Sequence, residues 1–188
     1  VPKNGFSIED FDPLPFFDWN AKEARRADRF QQLALAATHE AITQAGDFIM
    51  DPSAVGSMIG TGVGGLGTLE SQVKVLLDKG PRRVSPFLVP MMMANAASAS
   101  VSMRYGLQGP CETIVTACAA GTHSIGRAAE LIRSGKVKAM VAGGAEATLT
   151  PIGTQGFLNM TAVSNEGISR PFDTQRDGFM QSEGAGVL

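Results

Sequence analysis

At 188 residues with 44 % hydrophobic and 18 % charged side chains, the chain is long enough for one packed core and too apolar for a disordered polymer. A formal net charge of −2 supplies no general field over nucleic-acid phosphates, no run approaches the ~20 apolar residues of a membrane span, and no secretory leader opens the chain; a cytoplasmic protein that binds neither nucleic acid nor membrane is expected. Its two cysteines, Cys111 and Cys118, belong to no CxxC or His/Cys cluster, so both are expected as thiols, with no metal site and no cofactor.

Residues 1–20, with Pro2, Pro13, Pro15 and the aromatics Phe11, Phe16, Phe17 and Trp19, read as an extended segment with aromatic anchors. From Ala21 to Ala45 apolar side chains recur at three and four with Gly46 as the stop, which predicts one amphipathic helix. "AVGSMIGTG" (54–62) follows as a strand, 66–80 as a helix, "RRVSPFLVP" as an extended stretch and "MMMANAASASVSMRYG" (91–106) as a nearly uncharged, enclosed helix. "CETIVTA" (111–117) reads as a strand, 119–134 as a helix, "VKAMVAGG" (137–144) as a buried strand, and the tail from Ser169 as a loop entering a final strand, with no helix signal. The order β, α, α, β, α, β predicts a layered α/β fold in one domain over 1–188.

Two motifs compete for the chemistry. Cys118 stands where a strand ends at Ala117 and a helix of small residues begins, the layout of a nucleophile elbow. Unsatisfied N–H groups there favour thiolate over thiol and can hold an oxyanion; on local pattern alone a buried structural cysteine is equally admissible. Cys111 reads as structural. His123 lies about 140° round the next helix from Cys118 and suits a packed or capping role, while His39 reads as a half-buried bystander on the long helix. Gly62, Gly64 and Gly67 satisfy G-x-G-x-x-G between strand and helix, the context of a Rossmann-type nucleotide site, but the acidic residue that should follow near 85–90 is replaced by "SPFLVP". Basic residues gather at Lys22, Arg25, Arg26 and Arg29 and at Arg82 and Arg83, either as a solvated face or for an acidic partner.

"TACAAGTHSIG" around Cys118, "GTGVGGLGTLE", "GPRRVSPFLVP", "VAGGAEA" and "SRPFDTQRDGFMQSEGAGV" together resemble the β-ketoacyl-(acyl-carrier-protein) synthases, and the ketosynthase II type most. The resemblance implies the thiolase fold, an α-β-α-β-α sandwich of two similar halves in a homodimer, of which this chain supplies most of the first half. It implies that Cys118 takes an acyl chain from acyl-carrier protein and that the thioester is condensed with malonyl-carrier protein by decarboxylation, with the Cys118 N–H as one oxyanion donor. It further implies that Val63, Leu88 and Phe157 line the acyl pocket, Leu88 across the dimer interface, and that Lys22, Arg25, Arg26, Arg82 and Arg83 dock the acidic carrier. The family's two catalytic histidines, structural lysine and gating phenylalanine belong to the second half and its opening strand and helix precede Val1, so these residues alone are expected to be incomplete for condensation. A ketosynthase of a polyketide synthase is the alternative with the same chemistry; a Rossmann-type nucleotide-binding protein is the alternative from another class.

Overall fold

The structure is a computed structural model that describes residues 5–46 and 51–188; Pro2 of the expected extended segment lies outside the described residues. In chain order the elements are β1 (Gly5–Phe6), α1 (Ala21–Ala24), α2 (Arg29–Ala45), β2 (Val55–Gly60), α3 (Leu66–Lys79), α4 (Leu88–Met92), α5 (Ala96–Tyr105), β3 (Cys111–Glu112), α6 (Ala120–Arg133), β4 (Ala139–Glu146), α7 (Pro151–Asn159), β5 (Gln181–Ser182) and β6 (Gly184–Val187). The main sheet runs β3-β2-β4-β6, with β2 parallel to both neighbours and β6 antiparallel to β4, while β1 and β5 form a small parallel pair.

Strand alternation sets the layers. Val55 and Ile59 of β2 point into a core with Phe30, Leu33 and Ala34 of α2 and Ala97 and Val101 of α5. Met58 points the other way, onto Ala128 and Leu131 of α6. The result is an α-β-α stack in which all six residues of β2 are buried.

The single helix expected over Ala21–Ala45 is two helices, because Asp28 leaves helical geometry at ψ 159° to cap α2. Asp28 Oδ1 accepts from the Phe30 N–H, and Gln31 Oε1 accepts from the Asp28 N–H, closing a capping box. The second oxygen reaches α3, accepting from the Thr68 N–H at 2.8 Å and the Thr68 hydroxyl at 2.6 Å. One carboxylate, 4 % exposed, thus holds two helix N-termini. Asp28→Ala is expected to lower the unfolding free energy by about 3 kcal/mol, the sum of a lost cap and buried donors left unpaired; a urea titration showing a loss below about 0.5 kcal/mol, the size of an ordinary surface change, would remove Asp28 from this role.

The helix expected over 91–106 is interrupted, and its first turn starts earlier, at Leu88 in the stretch read as extended. The interruption has a local cause. The Gly65 N–H donates to the Met92 carbonyl at 3.2 Å, and a Cβ at Gly65 would lie 2.4 Å from the Met91 oxygen, so the 64–65 turn packs where a continuous helix would place its own bonds.

The strand expected over 111–117 is reduced to Cys111–Glu112. Ser98 of α5 wedges its hydroxyl into the β2/β3 ladder: the Ile59 N–H donates to Ser98 Oγ at 2.8 Å, and Ser98 Oγ lies 2.8 Å from the Glu112 carbonyl it serves. Pairing resumes once beyond it, with the Thr61 N–H donating to the Ile114 carbonyl. In the tail, the expected final strand is β6, entered through the two residues of β5. Helix α7 was not expected, although Thr150 caps it through the Gly153 N–H and Pro151 occupies its first position, a start signal visible in "TP".

Candidate active site at the ends of the parallel strands

Strands β2, β3 and β4 run parallel, so their C-terminal ends lie along one edge of the sheet, where α/β folds place their ligands. Cys118 stands on this edge with its thiol exposed. The chain reaches it through a turn: the Ala119 N–H donates to the Thr116 carbonyl and the Ala120 N–H to the Ala117 carbonyl, and Ala117 takes the left-handed φ of 52°. The elbow is therefore present, with the correction that a short turn, not a strand ending at Ala117, delivers Cys118 to α6. A side chain in the left-handed region costs energy and persists where neighbours enforce it. Among the described residues no backbone carbonyl or side chain accepts from the Cys118 N–H, so that donor is uncommitted beside the thiol.

Helix α6 is set down on the sheet by missing side chains. A Cβ at Gly60 would lie 2.5 Å from the Ala120 carbonyl oxygen, and one at Gly144 would lie 2.8 Å from the Gly121 Cα. The first turn of α6, two residues past Cys118, therefore rests on backbone at the ends of β2 and β4.

Glu146, the last residue of β4, lies beneath this arrangement. Its Oε2 accepts from the Gly62 N–H at 2.7 Å and its Oε1 from the Thr61 hydroxyl at 3.2 Å, while Thr61 Oγ1 in turn accepts from the Gly64 N–H at 3.1 Å. Burial pushes the Glu146 carboxyl above the ordinary glutamate range, and the Gly62 and Thr61 hydrogen bonds oppose that rise. "VAGGAEA" marked this stretch in the sequence, but nothing in the linear pattern brings Glu146 to residue 62.

These contacts exclude the nucleotide reading. The Gly62 N–H, which a pyrophosphate would need, is bound to the Glu146 carboxylate, and the Thr68 N–H in the first turn of α3 is bound to Asp28. Gly64 and Gly65 pack against the backbone at 91–94. Two carboxylates occupy the place of the anion.

The three residues expected to line an acyl pocket sit on neighbouring segments. Val63, 50 % exposed, is on the turn after β2; Leu88 opens α4; Phe157 lies on α7 with its ring edge-on to Phe179 at 5.4 Å. The 61–66 turn touches α4 through Gly65 and Met92, and α7 through Leu66, whose Cδ2 lies 3.0 Å from where a Cβ on Gly153 would stand. Its Gly62 abuts Ala117.

Lys22, Arg25, Arg26, Arg82 and Arg83 are all exposed, and Arg26 stacks its guanidinium 3.9 Å over the ring of Phe87, four residues beyond Arg83. None of the five forms an ion pair among the described residues. Beside Arg26 opens a cavity of about 600 Å³ whose apolar walls include Phe17, Leu35, Pro90, Met93 and Met103. Arg29, read with the first group, instead pairs with Glu183 at 2.7 Å and donates to the Ile8 carbonyl.

The remaining candidates differ from expectation. Cys111 is exposed at the sheet edge, its sulfur 3.4 Å from Ser57 Oγ, because the short β3 has no strand beyond it among the described residues. His39 is exposed and tilted against Phe16 at 5.7 Å, since α2 turns that side away from the sheet. His123 is exposed, not packed, with Nδ1 at 3.3 Å from Thr116 Oγ1 at the start of the turn. No group of three or more His, Cys, Asp or Glu side chains among the described residues is placed to hold a metal, and none of their helices is long and apolar enough to cross a membrane.

The family model "Beta-ketoacyl synthase, N-terminal domain" matches residues 2–188. A 3-oxoacyl-[acyl-carrier-protein] synthase 2 from Synechocystis sp. is 47 % identical over 191 residues, covering 98 % of this chain and 45 % of the relative; one from Staphylococcus aureus is 47 % identical over 189 residues, covering 97 % and 44 %. The chain thus spans about half the length of the curated relatives it matches. Among solved structures, a β-ketoacyl synthase from Burkholderia phymatum superposes with a TM-score of 0.82 at 29 % identity, covering 98 % of this chain and 46 % of that one. A type II polyketide ketosynthase in complex with its acyl-carrier protein gives 0.77 at 29 %, covering 85 % and 42 %. The fold is the thiolase-like one of these neighbours.

Proposed function

The chain belongs to the β-ketoacyl synthase family, matching its N-terminal domain, and on that premise we propose that it is the nucleophile-bearing half of a 3-oxoacyl-(acyl-carrier-protein) synthase of type II. The observation that carries this reading is Cys118: an exposed thiol at an elbow, next to its own uncommitted N–H and the first turn of α6. In the proposed reaction the thiolate attacks the thioester carbonyl of an acyl-carrier protein; a carbon–sulfur bond forms at Cys118, the bond to the carrier sulfur breaks, and the carrier leaves as a thiolate that takes a proton from water. The Cys118 N–H holds the oxygen of the tetrahedral intermediate. Malonyl-carrier protein then loses carbon dioxide and its carbanion attacks the new thioester, returning the Cys118 thiolate and a β-ketoacyl product. By the resemblance, the histidines for that second step belong to the other half of the family's length.

The reading places Val63 and Phe157 along the acyl chain, with Leu88 supplied by the partner copy of a cytoplasmic homodimer. The intermediate forms on a residue of this chain, so one experiment tests the function: the intact mass of the protein after incubation with a long-chain acyl-carrier protein. A single acyl adduct on Cys118 supports it, and no adduct at any carrier concentration sinks it. A polyketide ketosynthase is the second reading, favoured by the type II polyketide ketosynthase among the neighbours, though it is 29 % identical against 47 % for the 3-oxoacyl-[acyl-carrier-protein] synthase 2 relatives. Acceptance of a saturated long-chain acyl group over a polyketide mimic separates the two.

Carrier docking on the basic surface carries its own prediction. Acidic partners are steered by such patches, and each removed charge weakens encounter most at low salt. Replacing Arg25, Arg82 and Arg83 together by glutamate is expected to slow acylation about a hundredfold at low ionic strength and to flatten its salt dependence, read by stopped-flow with acyl-carrier protein as donor. Transfer from a small acyl thioester without the carrier serves as the reference and stays within twofold; an equal loss with both donors would place the patch elsewhere in the mechanism.

A further inference from the structure

We propose that Glu146 is a positioning residue for the acyl-acceptor elbow: through Thr61 and Gly62 it fixes the turn that holds Ala117 in its left-handed conformation and carries the pocket wall at Val63. The inference rests on the reading of Cys118 as acyl acceptor.

Three observations converge on this residue. First, both carboxylate oxygens are spent on the 61–64 turn, one on the Gly62 N–H and one on the Thr61 hydroxyl, and that hydroxyl accepts from the Gly64 N–H, so a single side chain organises the whole turn. Second, the turn touches the elbow by backbone. A Cβ at Gly62 would lie 2.7 Å from Glu146 Oε2 and 3.6 Å from Ala117 Cα, so the carboxylate, Gly62 and Ala117 are stacked with no side chain between them, and the Thr61 N–H is bonded to the Ile114 carbonyl just upstream. Third, Ala117 at φ 52° needs neighbours that over-determine it, and Gly62 is one of them. The carboxylate is half-buried, its hydrogen bonds beyond its own neighbour Ala147 go to the 61–64 turn, and none of its contacts is to a cation.

A glutamine at 146 can reproduce the geometry. Its carbonyl accepts from the Gly62 N–H and its amide donates to Thr61 Oγ1, which has lone pairs for this and for the Gly64 N–H. Alanine removes both bonds, and aspartate keeps the charge but withdraws the carboxylate by about 1.5 Å. Positioning therefore predicts an order, Gln above Asp above Ala, whereas a requirement for charge would put Asp above Gln.

The test measures single-turnover acylation of Cys118 by acyl-carrier protein together with amide hydrogen exchange in the same variants. Glu146→Ala is expected to lower the maximal rate about a hundredfold with the half-saturating carrier concentration within threefold of native, because the docking surface on α1 and the 82–83 turn is untouched. Glu146→Gln stays within about threefold of native, and Glu146→Asp falls between. Exchange in Glu146→Ala rises at least tenfold both at 61–64 and at 116–119, while 55–59 in β2 keeps native protection and certifies the fold. A rise confined to 61–64, a loss carried by the carrier concentration, or Gln falling with Ala overturns the proposal. If Glu146→Ala loses protection in β2 as well, the comparison of Gln with Asp decides. Failure of the native protein to take any acyl group sinks the reading of function instead, and the exchange pattern still judges Glu146 on its own.

Discussion

Cys118→Ala is expected to abolish the acyl adduct, and Cys118→Ser to lower the rate of its formation by about three orders of magnitude or more. A serine hydroxyl in the same place needs a base to take its proton during attack, and the only histidine near the elbow in sequence, His123, has its Nδ1 at the Thr116 hydroxyl. A thiol needs less help, being partly ionised near neutral pH and intrinsically more nucleophilic. The loss is chemical: the side chain is exposed, so either substitution leaves stability within about 0.5 kcal/mol of native. Cys111 supplies the control, since it is the other exposed thiol and stands seven residues away on the sheet edge. Intact-mass spectra should show one adduct in Cys111→Ala and none in Cys118→Ala. An adduct that follows Cys111, or persists without either thiol, would move the acceptor elsewhere.

What the linear pattern made legible is what local physics controls. Val55–Gly60 is a strand because its residues are small or apolar with turn signals after them, and α3 and α6 fall within a residue or two of expectation because glycine or small residues bound them. The elbow at Cys118 was also legible, because a cysteine between an apolar run and a helix of small residues is itself a local arrangement, though that pattern alone left a buried cysteine equally admissible and the exposed position decides against burial. The errors share a different origin: each is a contact made at a distance in sequence. Asp28 splits the helix expected over 21–45 to reach Thr68 forty residues on; Ser98 shortens β3 by entering a ladder between two other segments; Gly65 interrupts the helix before α5 by approaching Met92. Glu146 was missed for the same reason. Its partners are 84 and 85 positions away, and only the parallel pairing of β2 with β4 brings the end of one strand to the loop after the other. Helix α7 is the exception, a local signal in "TP" that lay within reach.

Gly60→Ala is expected to cost about 2–3 kcal/mol and to slow acylation with it, because the added methyl meets backbone that cannot rotate away. At Gly60 the Cβ would lie 2.5 Å from both the Ala120 carbonyl oxygen and Ser124 Oγ. Ser124 is fully buried, so α6 must lift as a unit. That displacement acts on the turn holding Cys118, since Ala120 is two residues beyond it and its N–H is bonded to the Ala117 carbonyl. Gly126, on the same helix with nothing within 4 Å of its Cβ position, provides the opposite case: alanine there removes backbone freedom from the unfolded chain and should stabilise by about 0.5–1 kcal/mol with acylation unchanged. Urea denaturation and single-turnover acylation on the two variants separate helix placement from helix strength. If Gly60→Ala loses stability but acylates at the native rate, the seating of α6 on the strand ends serves the fold alone; if both fall, the glycine contact under the first turn of α6 is what aims the thiol.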